Sequence, residues 1–325
     1  MRRFGRNDLE LLCVVLFWAF NVTVVKAALR EMEPLAFNMV RFTCAAIALL
    51  CLTRWLDGPV VVPRRDMARL VLLGALGHTF YQLCFVEGLA RTTASSTALI
   101  FGATPIVVGI MSRLAGHERI DIGGGLGALL AFYGVYLIVT GRDLDPAATA
   151  ATLGGAGTSG LTGSGGPGGD VLVGDLLVMT AVLCWSAYTV LSKELLERYS
   201  PLRVTALSLS IGTLLMALPA VPDVVRQDWA SVSWLTWTGA AYSFVFALVI
   251  SYILWYRSVK KVGNHKTAVY SNLVPVFGAL SGFWFLGERL TSGLLLGGGC
   301  ILAGILLTRW RGRQPDGREA PSASP

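Results

Sequence analysis

The sequence predicts an all-α integral membrane protein with ten transmembrane helices, arranged as two inverted five-helix repeats. A strongly apolar composition, ten apolar runs of membrane-spanning length and an internal repeat predict this fold. The 325 residues are 54% hydrophobic and only 14% charged, with a mean hydropathy of +0.61. Charged residues make up about a quarter of water-soluble domains. We therefore expect the bilayer to be the solvent.

Ten stretches of the chain are long and apolar enough to cross a hydrocarbon core, which takes about 20 residues of helix. They lie at about 9–27, 35–53, 68–90, 94–114, 121–140, 171–191, 202–221, 233–256, 265–286 and 291–309. The basic residues before the first run are also typical of a signal peptide. Because the repeat partner of this run lies in the middle of the chain, we interpret the run as a permanent helix.

The repeat relates LFWAFNVTVVKAALREMEPL at 16–35 to LCWSAYTVLSKELLERYSPL at 183–202, without a gap and at an offset of 167. A second pair, 97–119 and 267–289, aligns at an offset of 170. The chain is therefore interpreted as a duplicated unit. Five helices is an odd number, so the second unit must cross the membrane in the opposite sense to the first. Inverted repeats of this kind are common in secondary transporters.

The distribution of Lys and Arg predicts the orientation. With a cytoplasmic N-terminus, the inner segments hold 20 of these residues and the outer segments hold 6. The positive-inside rule therefore places both termini in the cytoplasm of a multi-pass protein of the bacterial inner membrane. The net charge of +7 comes from short clusters between apolar runs. This pattern does not indicate a nucleic-acid partner.

The two repeats, predicted at 1–140 and 171–310, are separated by residues 141–170 and followed by a cytoplasmic tail at 311–325. The segment 141–170 contains ten glycines and almost no large side chains. Such a composition predicts a flexible, periplasmic linker. No GK[ST] follows its glycines, so a phosphate-binding loop is not indicated.

Neither a metal site nor a cofactor is expected, and the sequence does not indicate an enzyme. All six cysteines lie in apolar runs without CxxC spacing, which is typical of small core residues. His78 is the one histidine in a predicted membrane core, and no carboxylate or cysteine cluster accompanies it. A metal centre or a hydrolytic triad would need such a cluster.

Four segments carry a family resemblance: FWAFNVTVVK at 17–26, PLAFNMVRF at 34–42, GLARTTASSTALIFGATPIVV at 88–108 and NLVPVFGALSGFWFLGERLT at 272–291. On these segments the chain resembles the drug/metabolite transporter superfamily, in its ten-helix EamA-type branch. The resemblance implies a secondary carrier, since members often export amino acids, metabolites or drugs. The long Gly-rich linker departs from the family pattern.

Polar and aromatic residues within the apolar runs are the candidate substrate-binding residues. Trp18 and Asn21 lie on one face of the first run, and His78, Tyr81 and Gln82 lie at helical spacing in the third. Their counterparts and neighbours in the second repeat complete the set. The predicted set is Trp18, Asn21, His78, Tyr81, Gln82, Trp185, Tyr188, Tyr252, Trp255 and Asn272. Ordinary helix packing is the alternative for each of them.

Arg41 and Glu87 are charged residues inside apolar runs, where a charge costs about 2.5 to 3.5 kcal/mol on insertion scales. Arg41 and Glu87 lie at similar predicted depths, about 10 Å or less from the outer ends of their helices at 1.5 Å per residue. We predict that they form a buried ion pair or take part in coupling.

Prolines and glycines predict two local features. Pro105 and Pro275 lie within apolar runs, where each frees the carbonyl of the residue four earlier; Asn272 could then line a cavity. Gly123, Gly127 and Gly134 recur as Gly293, Gly297 and Gly304. GxxxG spacing permits close packing of these helices, either within the bundle or in a homodimer.

The sequence thus predicts a secondary transporter that exports a small metabolite, such as an amino acid or a drug-like solute, by alternating access. Its partners would be a small-molecule substrate and the lipid bilayer. The alternative is an integral membrane enzyme or receptor with a small-molecule site at the midplane.

Overall fold

The computed structural model describes residues 6–59, 62–116, 122–140, 167–262, 270–271 and 273–311, and within those ranges all regular structure is helical. In chain order the helices are α1 (Arg6–Ala28), α2 (Pro34–Leu56), α3 (Arg64–Gly74), α4 (Tyr81–Arg91), α5 (Ala94–Phe101), α6 (Thr104–Leu114), α7 (Ile122–Thr140), α8 (Pro167–Leu191), α9 (Lys193–Leu196), α10 (Pro201–Arg226), α11 (Trp234–Tyr242), α12 (Ser251–Val262), α13 (Val274–Leu286) and α14 (Ser292–Arg311). Two π-helical segments, π1 (Ala75–Phe80) and π2 (Ser243–Ile250), join α3 to α4 and α11 to α12.

Seven helices are long and apolar enough to cross a membrane: Asn7–Ala28, Pro34–Leu56, Arg64–Arg91, Ala94–Leu114, Gly169–Leu191, Pro201–Arg226 and Trp234–Trp255. Three shorter apolar helices, Gly125–Thr140, Val274–Leu286 and Ser292–Leu307, fall in the other three predicted runs. The predicted class, an all-α integral membrane protein, is confirmed. The count of ten spans and their inverted order stay predictions.

Large apolar side chains cover much of the outer surface. Leu214, Leu218 and Trp234 are 74%, 80% and 77% exposed. An exposed apolar surface of this extent is unfavourable in water. It is the expected surface of a helix bundle in hydrocarbon.

The helix contacts follow the repeat. The equivalent helices α2 and α10 pack on each other, as do α7 and α14. The helix π1–α4 packs on α8, and α1 packs on the equivalent helix α11–π2–α12. When two related halves face each other, equivalent helices are expected to make equivalent contacts with the opposite half.

Glycines bring α7 and α14 into close contact. A Cβ on Gly134 would lie 2.5 Å from the Gly297 carbonyl oxygen, and a Cβ on Gly304 would lie 2.5 Å from that of Gly127. Larger residues would push the helices apart, so these glycines serve a contact within the chain. The predicted homodimer through the same helices remains a prediction.

The helix is interrupted before Pro105. α5 ends at Phe101 and α6 begins at Thr104. The Phe101 carbonyl, which Pro105 deprives of its partner, accepts a 2.6 Å hydrogen bond from the Thr104 hydroxyl. A local side chain therefore satisfies the freed group. Pro275 lies in the first turn of α13, and Asn272 lies outside the described residues.

Candidate functional site

Arg41 is the centre of a polar site buried between the two halves. Its side chain, on α2, is 2% exposed. Nε donates to Asn38 Oδ1 at 2.8 Å, Nη2 to Gln82 Oε1 at 2.8 Å and Nη1 to Ser243 Oγ at 3.0 Å. Gln82 lies on α4 and Ser243 is the first residue of π2, so one guanidinium joins elements from both repeats.

Aromatic rings surround the same guanidinium. Its central carbon lies 5.1 Å from the ring centroid of Phe42, 5.4 Å from that of Phe37 and 6.0 Å from that of Phe85. Cation–π contacts at these distances stabilise a desolvated cation. Tyr252 packs beside Phe42 in the same core cluster and lies within electrostatic range of Arg41.

The predicted pair between Arg41 and Glu87 is wrong. Glu87 pairs instead with Arg91, one turn along α4, with Nη1 and Oε2 2.5 Å apart. The prediction rests on similar depth alone, and depth does not decide which face of a helix a residue occupies. Gln82 and Glu87 are five positions apart, which is about 140° around an α-helix, and Gln82 is the residue that faces Arg41.

The structure brings four of the predicted residues together. Ring centroids are 5.2 Å apart for Tyr81 and Trp185, 5.1 Å for Trp185 and Tyr188, and 5.2 Å for Tyr188 and His78. His78 Nε2 also lies 3.1 Å from Ser208 Oγ on α10. His78 and Gln82 therefore have different partners, although the spacing had suggested a single face. His78 lies in π1, where the wider turn changes the helical register.

Trp18 and Trp255 form another ring contact, with centroids 5.1 Å apart. The Trp18 indole donates to the Ala247 carbonyl in π2 at 2.9 Å. Asn21 lies one turn further along α1, and its buried Oδ1 has no hydrogen-bond donor among the described residues. The predicted residues thus distribute over both halves, around the two π segments. Such segments often occur at functional sites.

Three central residues were missed from the sequence. Asn38, Ser208 and Ser243 are all fully buried. Asn38 precedes Arg41 by three residues, so helical spacing could have indicated it. Ser208 is the eighth residue of α10, as Arg41 is of α2, so the repeat could have indicated it too. No pattern pointed to Ser243.

Glu288 has a structural role that the sequence did not reveal. It is 4% exposed and accepts hydrogen bonds from the backbone N–H groups of Ala94 and Ser95, at 2.7 and 2.8 Å. A carboxylate is favourable at the N-terminus of a helix because the free N–H groups and the helix dipole both favour negative charge. Glu288, two residues after the end of α13, therefore ties the second half to α5 of the first.

At one end of the bundle the halves meet through Glu31, which we call the Glu31 contact. Glu31 Oε2 accepts from the Ser233 N–H at 2.9 Å and from the Thr236 hydroxyl at 2.8 Å. The Glu33 N–H donates to Gln227 Oε1 at 2.7 Å. Hydrogen bonds from Ser233 and Thr236 lower the pKa of the Glu31 carboxyl, with the Ser233 side chain the largest cause.

At another junction the halves meet through Asp66, which we call the Asp66 contact. Asp66 is 3% exposed. It accepts from Arg198 Nη1 at 2.6 Å and from the Tyr199 hydroxyl at 2.7 Å. Nearby, Ser200 donates to the carboxylate of Asp57. The Tyr199 pKa is raised because its hydroxyl donates to Asp66.

An apolar helix bundle with a buried polar site shared by two related halves defines a multi-pass membrane protein of the carrier type. The chain belongs to the EamA-like transporter family, whose model matches it twice, at residues 7–140 and 172–310. The protein is therefore a membrane transporter.

Full-length relatives agree with this assignment. The chain is 24% identical to "Uncharacterized transporter YyaM" of Bacillus subtilis, over 91% of each protein. It is 25% identical to an "Uncharacterized transporter" of Archaeoglobus fulgidus, over 94% of this chain and 97% of the relative. It is 23% identical to the "Probable terminal-alkyne amino-acid exporter" of Streptantibioticus cattleyicolor, over 97% and 96%.

A solved crystal structure has the same fold. It superimposes with a TM-score of 0.62 over 95% of this chain and 99% of the other, at 16% sequence identity.

Proposed function

We propose that the protein is a secondary active transporter that exports a small metabolite, such as an amino acid or a drug-like solute, by alternating access. The observation that carries this proposal is the Arg41 site. It is buried, lies in helices that are long and apolar enough to cross a membrane and is built by residues from both halves. A site of this kind can face either side of the membrane if the halves move relative to each other.

The two contacts between the halves support an alternating mechanism because equivalent residues form them. Glu31 corresponds to Arg198 at the offset of 167, and Thr236 corresponds to Asp66 at the offset of 170. Glu31 bonds Thr236, and Arg198 bonds Asp66. Repeats of opposite orientation would place these two contacts at opposite ends of the molecule. Each contact could then close one entrance.

The substrate would bind among the residues around the π segments, near the midplane, with Arg41 at the centre. The set is Trp18, Asn21, His78, Tyr81, Gln82, Trp185, Tyr188, Tyr252 and Trp255. Export is supported by the relative named as an amino-acid exporter. No part of this proposal requires a chemical change in the solute, so we propose that the protein is not an enzyme.

Reporter fusions test the orientation. We expect a fusion at Thr152 to report the periplasmic side and a fusion after Arg313 to report the cytoplasmic side, because of the charge asymmetry between inner and outer segments. Finding both on one side would contradict the inverted repeat.

Flux tests transport itself. Purified protein in proteoliposomes loaded with a cell extract should release at least one solute, chemically unchanged, faster than empty liposomes do. Release at the rate of empty liposomes for every solute would contradict a transporter that needs no further subunit.

A reversible cross-link between two introduced cysteines tests alternating access. In a protein lacking the native cysteines, Glu31→Cys and Ser233→Cys would be cross-linked across the Glu31 contact. We expect flux to stop and to return on reduction. The two single-cysteine variants, treated identically, are the controls. Full flux through the locked protein would contradict alternating access.

A further inference from the structure

Arg41 has no counter-ion among the residues that the structure describes. No carboxylate oxygen of the described residues lies within 4.0 Å of its guanidinium. Arg91, Arg198 and Arg226, by contrast, each have an acidic partner. The three groups that hold it, Asn38, Gln82 and Ser243, are neutral. A buried charge without a compensating charge is unfavourable. This cost is expected to persist only where the charge has a use.

The other half of the molecule shows that the fold does not need this charge. The position equivalent to Arg41 is Ser208, which is also fully buried. There the Ser208 hydroxyl lies within hydrogen-bond distance of His78 on a neighbouring helix. The same place in the architecture is therefore filled by a small neutral side chain.

The guanidinium also has unused donors. Arginine has five N–H groups, and three of them have acceptors among the described residues. One N–H on each terminal nitrogen has no acceptor among those residues. A carboxylate can accept from both terminal nitrogens at once, which is the strongest arrangement available to arginine. The surrounding rings of Phe37, Phe42 and Phe85 would suit the apolar part of such a molecule.

We propose that Arg41 binds a carboxylate of the transported solute, so that the substrate is an organic anion or zwitterion with an apolar or aromatic body. This inference rests on the proposed transport function. Asn38, Gln82 and Ser243 orient the guanidinium while the site is empty. The carboxylate then supplies the missing negative charge.

Three probes with one skeleton test the inference: 3-phenylpropionate, its amide and 3-phenylpropylamine. Binding to the full-length protein in lipid nanodiscs would be measured by calorimetry. We expect the wild-type protein to bind the carboxylate about tenfold to a hundredfold more tightly than the amide, as the loss of a hydrogen bond to a charged group implies. The amine should bind more weakly still.

Variants assign the preference to Arg41. In Arg41→Gln the carboxylate and the amide should bind within about twofold of each other, while Arg41→Lys should keep part of the preference because it retains the charge but loses the planar fork. Arg91→Gln removes an arginine that pairs with Glu87 and should keep the full preference. Monodispersity and thermal unfolding of each variant are measured alongside.

The outcomes separate the two proposals. If extract solutes move through wild-type proteoliposomes but the carboxylate binds no better than the amide, the inference is wrong and transport stands. A preference that survives in Arg41→Gln also overturns the inference. If the preference depends on Arg41 but no solute moves, the site stands and the proposed function fails. Should Arg41→Gln not fold, the wild-type preference and Arg41→Lys decide.

Discussion

The Glu31 contact and the Asp66 contact use equivalent positions of the two repeats but different chemistry. In the first, a carboxylate accepts from a neutral hydroxyl and a backbone N–H. In the second, a buried carboxylate accepts from an arginine and a tyrosine. Arg69 and Glu194 add an exposed ion pair beside it. The two contacts therefore lie at equivalent positions of the repeats, and the residues that form them differ in charge.

This difference means that the two contacts need not open equally easily. When one partner leaves an ion pair, the buried charge that remains is uncompensated, which is costly in free energy. Hydrogen bonds that an exposed carboxylate accepts from neutral groups are weaker. We therefore expect the Asp66 contact to be the stronger one, so that the resting protein favours the state in which it is closed.

The largest effect is expected from Asp66→Asn. The change removes the charge that Arg198 faces and should weaken the Asp66 contact by about 1 to 2 kcal/mol, since Arg198 is partly solvated. Spin labels at the exposed positions 64 and 197 should report a longer distance population. Arg65→Gln is the matched control, because Arg65 is 75% exposed and its Nε lies 3.9 Å from Asp66. Identical distance distributions in both variants would contradict the assigned role.

A smaller opening is expected from Glu31→Gln. The amide oxygen can still accept a hydrogen bond, but the negative charge that strengthens both bonds is lost. Labels at positions 30 and 230 should show a modest shift to longer distances. Asp228→Asn serves as the control, since Asp228 bonds the Ala230 N–H within its own loop. If the control opens the contact as much as Glu31→Gln, then Glu31 is not the linking group.

Salt should act on the two contacts unequally. Raising the ionic strength shortens the screening length from about 10 Å at 0.1 M to about 3 Å at 1 M. The Asp66 contact, with its partly exposed Arg198 and the exposed pair of Arg69 and Glu194, should loosen. The Glu31 contact should change less. Distances between both pairs of labels, measured on parallel samples, show how far salt loosens each contact. An equal change at the two contacts would contradict the expected difference between them.

Acid should act on the Glu31 contact, with little effect near neutral pH. Because the pKa of the Glu31 carboxyl is lowered from 4.5, the contact is fully formed above that value. It should be lost only as the pH falls through the lowered pKa. Distances between labels at 30 and 230 should therefore stay constant from pH 7 to about 5 and lengthen at lower pH. Glu31→Gln should abolish this response, and a response that remains would point to another group.

Much of the fold could be predicted from the sequence. Apolar runs of spanning length follow from the composition, and the break before Pro105 follows from its missing N–H. The sequence also placed His78, Tyr81, Trp185 and Tyr188 in one candidate set, and the structure brings their rings together. Their role in binding a substrate stays a prediction. Extending the repeat register shows that Glu31 is equivalent to Arg198 and Asp66 to Thr236, whereas the contacts between them came only from the structure.

The sequence by itself determined that this chain is an apolar helix bundle in two related parts with a charge at membrane depth, because hydropathy and repetition are local properties of the chain. Only the tertiary structure decided which groups meet that charge. Arg41 turned out to face Gln82 and Ser243, and not Glu87, since the partner depends on helix rotation and on contacts more than 200 positions away in sequence. The π segments were equally hidden, because a local change of helical register arises from packing between helices and leaves no periodic signal in the sequence.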